Sequence, residues 1–283
     1  MAFAQHKATL AWPNWIDRCT LSSEAAFTRP LDRVQARVLK DRARTDETTF
    51  QITIELDKVR PCGVVALAAH NLSVDATWRI QVWSDTDGLL EDSGERLIWP
   101  GVFQSYELLW EDDNFWTGQP SAEDLERFTP LATWWFDRAW VTHRVTIDIT
   151  DPGNPDGYIE IGRVVLADVW QPQYNMSYGI QWAYVDPTEV DEALDGTEHF
   201  DERPQVRTVS MAFDWLDEFE AFARMFRMRR DLGISRELLF AYRLKQDSTY
   251  IQRTMLARAL ESDPLTHPNA VRHAHSVALK EIL

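Results

Sequence analysis

Between Asp85 and Glu126 the chain carries twelve carboxylates and a single cation, Arg96, with Trp99, Trp110 and Trp116 set among them. Aromatic plates can stack on the apolar face of a sugar ring, and a carboxylate pair at the right separation can cleave a glycosidic bond. Trp99, Trp110, Trp116 and, further on, Trp134 are therefore the candidate glycan-binding residues. Glu107, Glu111, Asp112 and Asp113 are the group from which an acid and a base would be drawn. Asp112, Asp113 and Asn114 offer oxygen ligands to Ca²⁺, but without EF-hand spacing. The plainer reading of the segment is a long solvated excursion whose tryptophans pack it down.

Other residues with chemical potential are scattered. His70-Asn71 could be a functional pair at a strand end, or a turn hydrogen-bonded to its own backbone. In Trp134-Trp135-Phe136 an extended chain sends neighbouring rings to opposite faces, which favours core packing over one flat platform. Cys19 and Cys62 are too few for a disulfide framework, lack zinc spacing and read as small buried fillers. There is no G-x-S-x-G elbow, H-E-x-x-H helix, Gly-rich phosphate loop or dinucleotide fingerprint. The expectation is a protein that is not an enzyme, with no catalytic residue, no cofactor and no resident metal.

The elements that would position these residues are mostly strands. Thr49–Leu56 alternates, placing Phe50, Ile52, Ile54 and Leu56 on one face. Val64–Ala69 is continuously apolar after the breaker Pro61-Cys62-Gly63, as in a strand covered on both faces. Trp78–Trp83 and Val141–Ile149 alternate again, and Tyr158–Leu166 follows a turn-rich loop at 151–157. Short strands separated by turns point to an antiparallel sandwich over residues 1–172.

Residues 173–283 read as a smaller α+β unit. Strands are expected at Tyr178–Val185, Glu198–Phe200, Gln205–Phe213, Leu238–Leu244, Gln252–Leu260 and Val271–Ile282, with a turn at Asp263-Pro264 and His267-Pro268. A helix over 217–232 places Phe219, Phe222, Ala223 and Phe226 on one stripe, carries Arg227, Arg229 and Arg230 near its end, and stops at Gly233. Those arginines would complement the helix C-terminus or pair across a subunit contact.

The charge sets limits. Forty-five acidic against 29 basic residues give a formal charge of −16, shared evenly along the chain, which speaks against gripping bare nucleic acid. No run of about 18 apolar residues exists to span a membrane, and Met1–Asp17 lacks the apolar core of a secretory signal. The chain is expected to fold in the cytoplasm where it is made.

The assembled pieces resemble a family. Val64–Leu72, ending His70-Asn71-Leu72 and continuing to Thr77–Val82, resembles the passage "hydrophobic strand, His-Asn-Leu, strand" of galactose-binding-like jelly rolls in tail proteins of long-tailed bacteriophages. Gly157–Val164 and Trp170-Gln171-Pro172 look like the closing strand and exit of that module. Arg207–Phe213, the helix after it and the strands ending at Ile282 are similar to the β-barrel-with-helix unit of tail-tube and distal tail proteins. The resemblance implies a mainly β chain: a jelly-roll β-sandwich at 1–172 and a tail-tube-like β-barrel with one helix at 173–283. It implies a structural component of a siphophage tail tip, assembled in the bacterial host cytoplasm and residing in the virion. Its copies would form a ring, a hexamer by family resemblance, that continues the tail tube. Tail tube protein, tape-measure protein and baseplate hub proteins would be its partners, with DNA only passing through the lumen. An acidic wall suits that passage, because it repels phosphate. The alternatives are a carbohydrate-binding module contacting host surface glycan, and a glycan-cleaving enzyme.

Overall fold

The computed structural model describes residues 2–86, 88–126, 128–261, 263–269 and 271–283; Asp87, one of the twelve carboxylates, lies outside them. The chain is mainly β and antiparallel throughout. It divides into two compact units, Met1–Gln171 with Leu238–Leu256, and Pro172–Glu237 with Ala257–Leu283. The sequence reading puts one boundary at 172/173, whereas the structure gives the first unit a second, later segment. The reason is the strand Glu237–Ala241, buried at every position, which pairs with Thr9–Asn14 through Thr9↔Ala241, Leu10↔Phe240 and Ala11↔Leu239. A short run of apolar residues carries no signal of which sheet it will join.

In the first unit the strands follow the order Glu237–Ala241, Thr9–Asn14, Arg163–Trp170, Thr49–Ala68, Leu131–Thr150, Thr77–Ser84, Gly88–Asp92. A separate three-stranded sheet joins Ile159–Ile161, Ala43–Thr45 and Phe27–Arg29. One apolar core takes Ile52, Ile54, Leu67, Ile80, Ile147 and Leu166 from the large sheet and Ala43, Ile159 and Ile161 from the small one. Each fully buried aliphatic chain contributes about 1.5–3 kcal/mol.

The alternating faces expected at Phe50–Leu56 and Trp78–Val82 are buried as predicted. Pro61-Cys62-Gly63 does not end a strand. Thr49–Ala68 runs through it as one 20-residue strand, paired to Leu131–Thr150 with register shifts at Glu55/Arg60 and Cys62/Val64. The breaker is absorbed as irregularity in the ladder. Gly63 is needed there, since a Cβ would lie 2.7 Å from Val169 Cγ2. Conversely, Tyr158–Leu166 is not one strand: the chain changes sheets at Gly162, where a Cβ would meet Leu39 O at 2.6 Å.

The second unit departs further from expectation. Gln181–Val185, Val206–Leu216 and Arg272–Glu281 are neighbours in that order, Ala257–Ala259 pairs with the far side of Arg272–Glu281, and Leu265–Asn269 pairs with its N-terminal part. The last strand lies where a turn is expected. Among the described residues no pairing closes this sheet on itself, so the unit is an open sheet and not a barrel; Gln181–Val185, exposed at all five residues, is its edge. Glu198–Asp201 does not join the sheet but forms an isolated hairpin with Glu189–Glu192.

The expected helix is present, as a π-helix over Glu220–Phe226 followed by an α-helix over Arg227–Leu232, and it ends at Gly233 with φ +55°. Its buried side is not the predicted one. Ala221, Met225, Met228 and Leu232 are buried, while Phe219, Phe222 and Phe226 are exposed. Both sets have helical spacing, so periodicity alone does not choose between them. Arg229 is also buried, donating to Glu261 O at 2.9 Å and pairing with Asp263 at 3.2 Å, rather than lying over the helix end.

Candidate functional site

The four candidate tryptophans do not form one platform. Trp99 is only 4% exposed, with its ring 5.4 Å from His70, and belongs to the core. Trp134 is half-buried and packs against the same core. Trp110 and Trp116 are 74% and 81% exposed, on the 103–118 turns. Those turns are built largely by their own polar side chains. Glu107 accepts from Gln104 N at 2.9 Å, Asp112 from Leu109 N at 2.7 Å, and Asn114 Nδ2 donates to Gln119 O at 2.6 Å. Thus two of the candidate catalytic carboxylates are engaged in turn formation, and Glu107 also accepts from Ser248 Oγ at 2.9 Å.

Below these turns lies an open cleft of about 660 Å³, lined by Asp75, Asp112, Asp113, Asn114, Glu123 and Asp124 among others. Its lining has hydrogen-bond acceptors in excess and no cation. Among the described residues no three His, Cys, Asp or Glu side chains converge on a metal position, so Asp112, Asp113 and Asn114 do not form part of such a group.

A second cavity, of about 280 Å³, is where a candidate tryptophan meets open space. Trp134 lines it together with Arg96, Thr133, Gln246, Pro100 and Gly101. The Arg96 guanidinium lies 5.9 Å from the centre of the Trp134 ring. Gln246 reaches it because the Leu238–Leu256 segment belongs to this unit. Tyr250, on the same segment, receives a hydrogen bond from Trp135 Nε1 at 2.8 Å and shares another with Thr133 Oγ1 at 2.6 Å. No local motif in the sequence marks Gln246 or Tyr250, since their role depends on the return of a distant segment.

His70-Asn71 is a structural clamp. His70 Nδ1 accepts from Leu72 N at 3.3 Å, and burial, helped by the Arg42 charge, pushes its pKa down to about 3. A neutral imidazole in that position is a poor proton acceptor. Asn71 Nδ2 donates to Asp156 at 2.8 Å and Tyr158 O at 3.0 Å, while its Oδ1 accepts from Glu160 N at 2.7 Å. Asp151, buried beside them, accepts from Ser73 N at 2.8 Å and Asn154 Nδ2 at 2.8 Å. This is the backbone-bonded turn of the plainer reading. The thiols are equally inert: burial pushes Cys19 up to about 12 and raises Cys62 as well, so both stay protonated.

The second unit carries exposed apolar surface, part of it the phenylalanine stripe of the expected helix. Trp182, Tyr184 and Val185 are exposed on the edge strand, Val190 and Phe200 on the hairpin, and Phe219, Phe222 and Phe226 on the helical segment. Apolar alternation normally means burial, so these residues read as core in the sequence. No helix among the described residues is long and apolar enough to cross a membrane.

No protein-family model matches the chain, and no curated protein matches it in sequence. Among solved structures, the family 32 carbohydrate-binding module of C. perfringens NanJ, in complex with galactose, is similar with a TM-score of 0.38 and 13% identity, covering 57% of this chain and 99% of that one. The family 32 module of AlyQ, in complex with 4,5-unsaturated mannuronic acid, gives 0.35 and 14%, covering 55% and 96%. A chitosan-binding module from a chitosanase/glucanase of Paenibacillus sp. IK-5 gives 0.34 and 15%, covering 54% and 97%. These are distant likenesses over about half of the chain, and the tail-tip expectation draws nothing from them.

Proposed function

We propose that the protein is a non-enzymatic building block whose second unit assembles with copies of itself and which carries the first unit as a display module. The observation that carries this reading is the edge strand Gln181–Val185. Among the described residues it is the end strand of its sheet, with Trp182 and Tyr184 exposed and no charge or proline along its length. Monomeric proteins guard such edges with charge, proline or a covering element, because an open edge pairs with another chain. The family resemblance suggests the particle: a siphophage tail tip, with tail tube, tape-measure and hub proteins as neighbours and DNA passing through the ring. Sedimentation of the intact chain tests assembly. An oligomer is expected for the wild type and its dissociation for Tyr184→Lys, which places a charge on the edge. A wild type monomeric at every concentration overturns the reading, and absence of the protein from virions overturns the tail-tip assignment.

A second reading, glycan recognition by the first unit, is favoured by the cavity that brings the Trp134 ring, the Arg96 guanidinium and the Gln246 amide together. A flat hydrophobic ring with a cation and an amide at its rim suits a hydroxyl-rich, weakly anionic ligand. On a glycan array the intact chain is expected to retain a ligand that Arg96→Ala combined with Gln246→Ala loses about tenfold or more in affinity, equivalent to about 1.4 kcal/mol. Trp110→Ala should leave it unchanged. A flat array, or loss only in the Trp110 variant, counts against this site.

A further inference from the structure

The hairpin Glu189–Glu192/Glu198–Asp201 is exposed at every strand residue. An isolated two-stranded hairpin is marginal in water, and this one also carries charge conflict. Residues 189–202 hold seven carboxylates and one basic residue other than histidine falls only after them, at Arg203. Val190 faces Phe200 across the strands, and Glu192 faces Glu198. Directly paired and alternate residues share a face, so one side of the hairpin presents Val190, Phe200, Glu192 and Glu198 together. On the opposite side Arg203 bridges Glu189 and Asp201 at 2.9 Å each. Glu192 and Glu198 have no ion-pair partner among the described residues, although like charges directly opposite one another are destabilising.

The helical segment offers the complement. Phe219, Phe222 and Phe226 are 69%, 49% and 56% exposed, with the last two rings 6.1 Å apart, edge to face. Residues 223–236 hold five arginines and one carboxylate, Asp231. Of these arginines, Arg227 is exposed and meets only Asp231 at 3.5 Å, and Arg230 is exposed with no ion-pair partner among the described residues.

We propose that the hairpin of one copy seats its Val190–Phe200 face on the Phe219–Phe222–Phe226 surface of a second copy, with Glu192 and Glu198 meeting Arg227 and Arg230. This deepens, and rests on, the reading of the chain as a self-assembling block. The two surfaces differ, so the contact is head-to-tail, and a chain of such contacts closes into a ring when the rotation per copy permits. Apolar area supplies the affinity, while the charges set register and reject a hairpin-on-hairpin pairing.

The test is a charge exchange in the intact protein. Glu192→Lys with Glu198→Lys, and separately Arg227→Glu with Arg230→Glu, are each expected to shift the sedimenting species to the mass of a single chain. Mixing the two reversed variants should restore the oligomer. All four positions are exposed, and circular dichroism checks that the fold is kept. As a second measurement, a Phe200→Cys chain mixed with a Phe222→Cys chain should form a disulfide-linked pair under oxidation. If the wild type assembles but neither reversal changes its mass and no cross-link forms, this contact is wrong while the building-block reading stands. If the wild type is a monomer, the building-block reading itself has failed.

Discussion

Replacing Glu281 by Ala is expected to cost about 3–5 kcal/mol, read as loss of hydrogen-exchange protection in Val206–Leu216 and Arg272–Glu281. Glu281 and Arg207 are 5% and 4% exposed on neighbouring strands. Arg207 Nε donates to Glu281 Oε2 at 2.8 Å, its Nη2 donates to Oε1, and its backbone N–H also reaches Oε2 at 3.3 Å. Removing the carboxylate takes from a nearly buried guanidinium its charged partner on the neighbouring strand, and that loss accounts for most of the expected cost. Removing both partners, as Arg207→Met with Glu281→Leu, should come out near neutral, because the pair gains little over a well-packed apolar replacement. A loss below about 1 kcal/mol for the single variant would show that Arg207 finds water and would refute the dry pair.

The second large effect is a loss of stability in mild acid. His70 is 2% exposed, with a pKa of about 3 in the folded state. In the unfolded chain it titrates near 6.5. Above that pH neither state holds the proton. As pH falls below it, only the unfolded state takes the proton up, so stability drops by about 1.4 kcal/mol per pH unit, or about 2 kcal/mol from pH 6.5 to pH 5. His275 acts in the same direction, its pKa lowered by burial and by the Arg229 charge. Carboxylates held below their usual range, such as Asp186 and Asp195 with their hydrogen bonds from Thr188 and Thr197, lose their contribution only at lower pH. The window from 6.5 to 5 therefore belongs to the histidines. Urea unfolding at pH 7.5, 6.5 and 5 should show the fall, and His70→Asn, which keeps an acceptor beside Leu72 N, should reduce the slope. A flat wild-type profile would mean that His70 is hydrated.

The parts legible in the sequence are those where one face is buried and the other wet. Ile52 and Ile54, or Ile80 and Val82, alternate with polar residues because each strand has a single core side, and the pattern fixes their orientation. Where two answers share one pattern, legibility fails. The helical segment carries two apolar stripes, and tertiary packing selects the methionine side over the phenylalanine side. Breaker residues mislead in the same way: Pro61-Cys62-Gly63 marks an irregular stretch within a strand, while the single Gly162 marks a real change of sheet. For the candidate site, four tryptophans are identical in type yet divide between core, cavity and solvent. Trp134 lines one cavity beside Arg96 and Gln246, Trp99 lines another with Gln246 and Tyr250, and Gln246 comes from more than a hundred residues downstream.

That downstream contribution has a consequence for the order in which the protein can be made. A ribosome releases Thr9–Asn14 early, but the strand that covers its open side, Glu237–Ala241, emerges only after most of the second unit's chain has been synthesised. Until then the nascent first unit waits with a bare edge of backbone donors and acceptors, exposed to chaperones and to neighbouring nascent chains on the same message. Copies made side by side on one polysome would meet while that edge is still open, so completion of each chain and its first encounter with a sister chain compete in time.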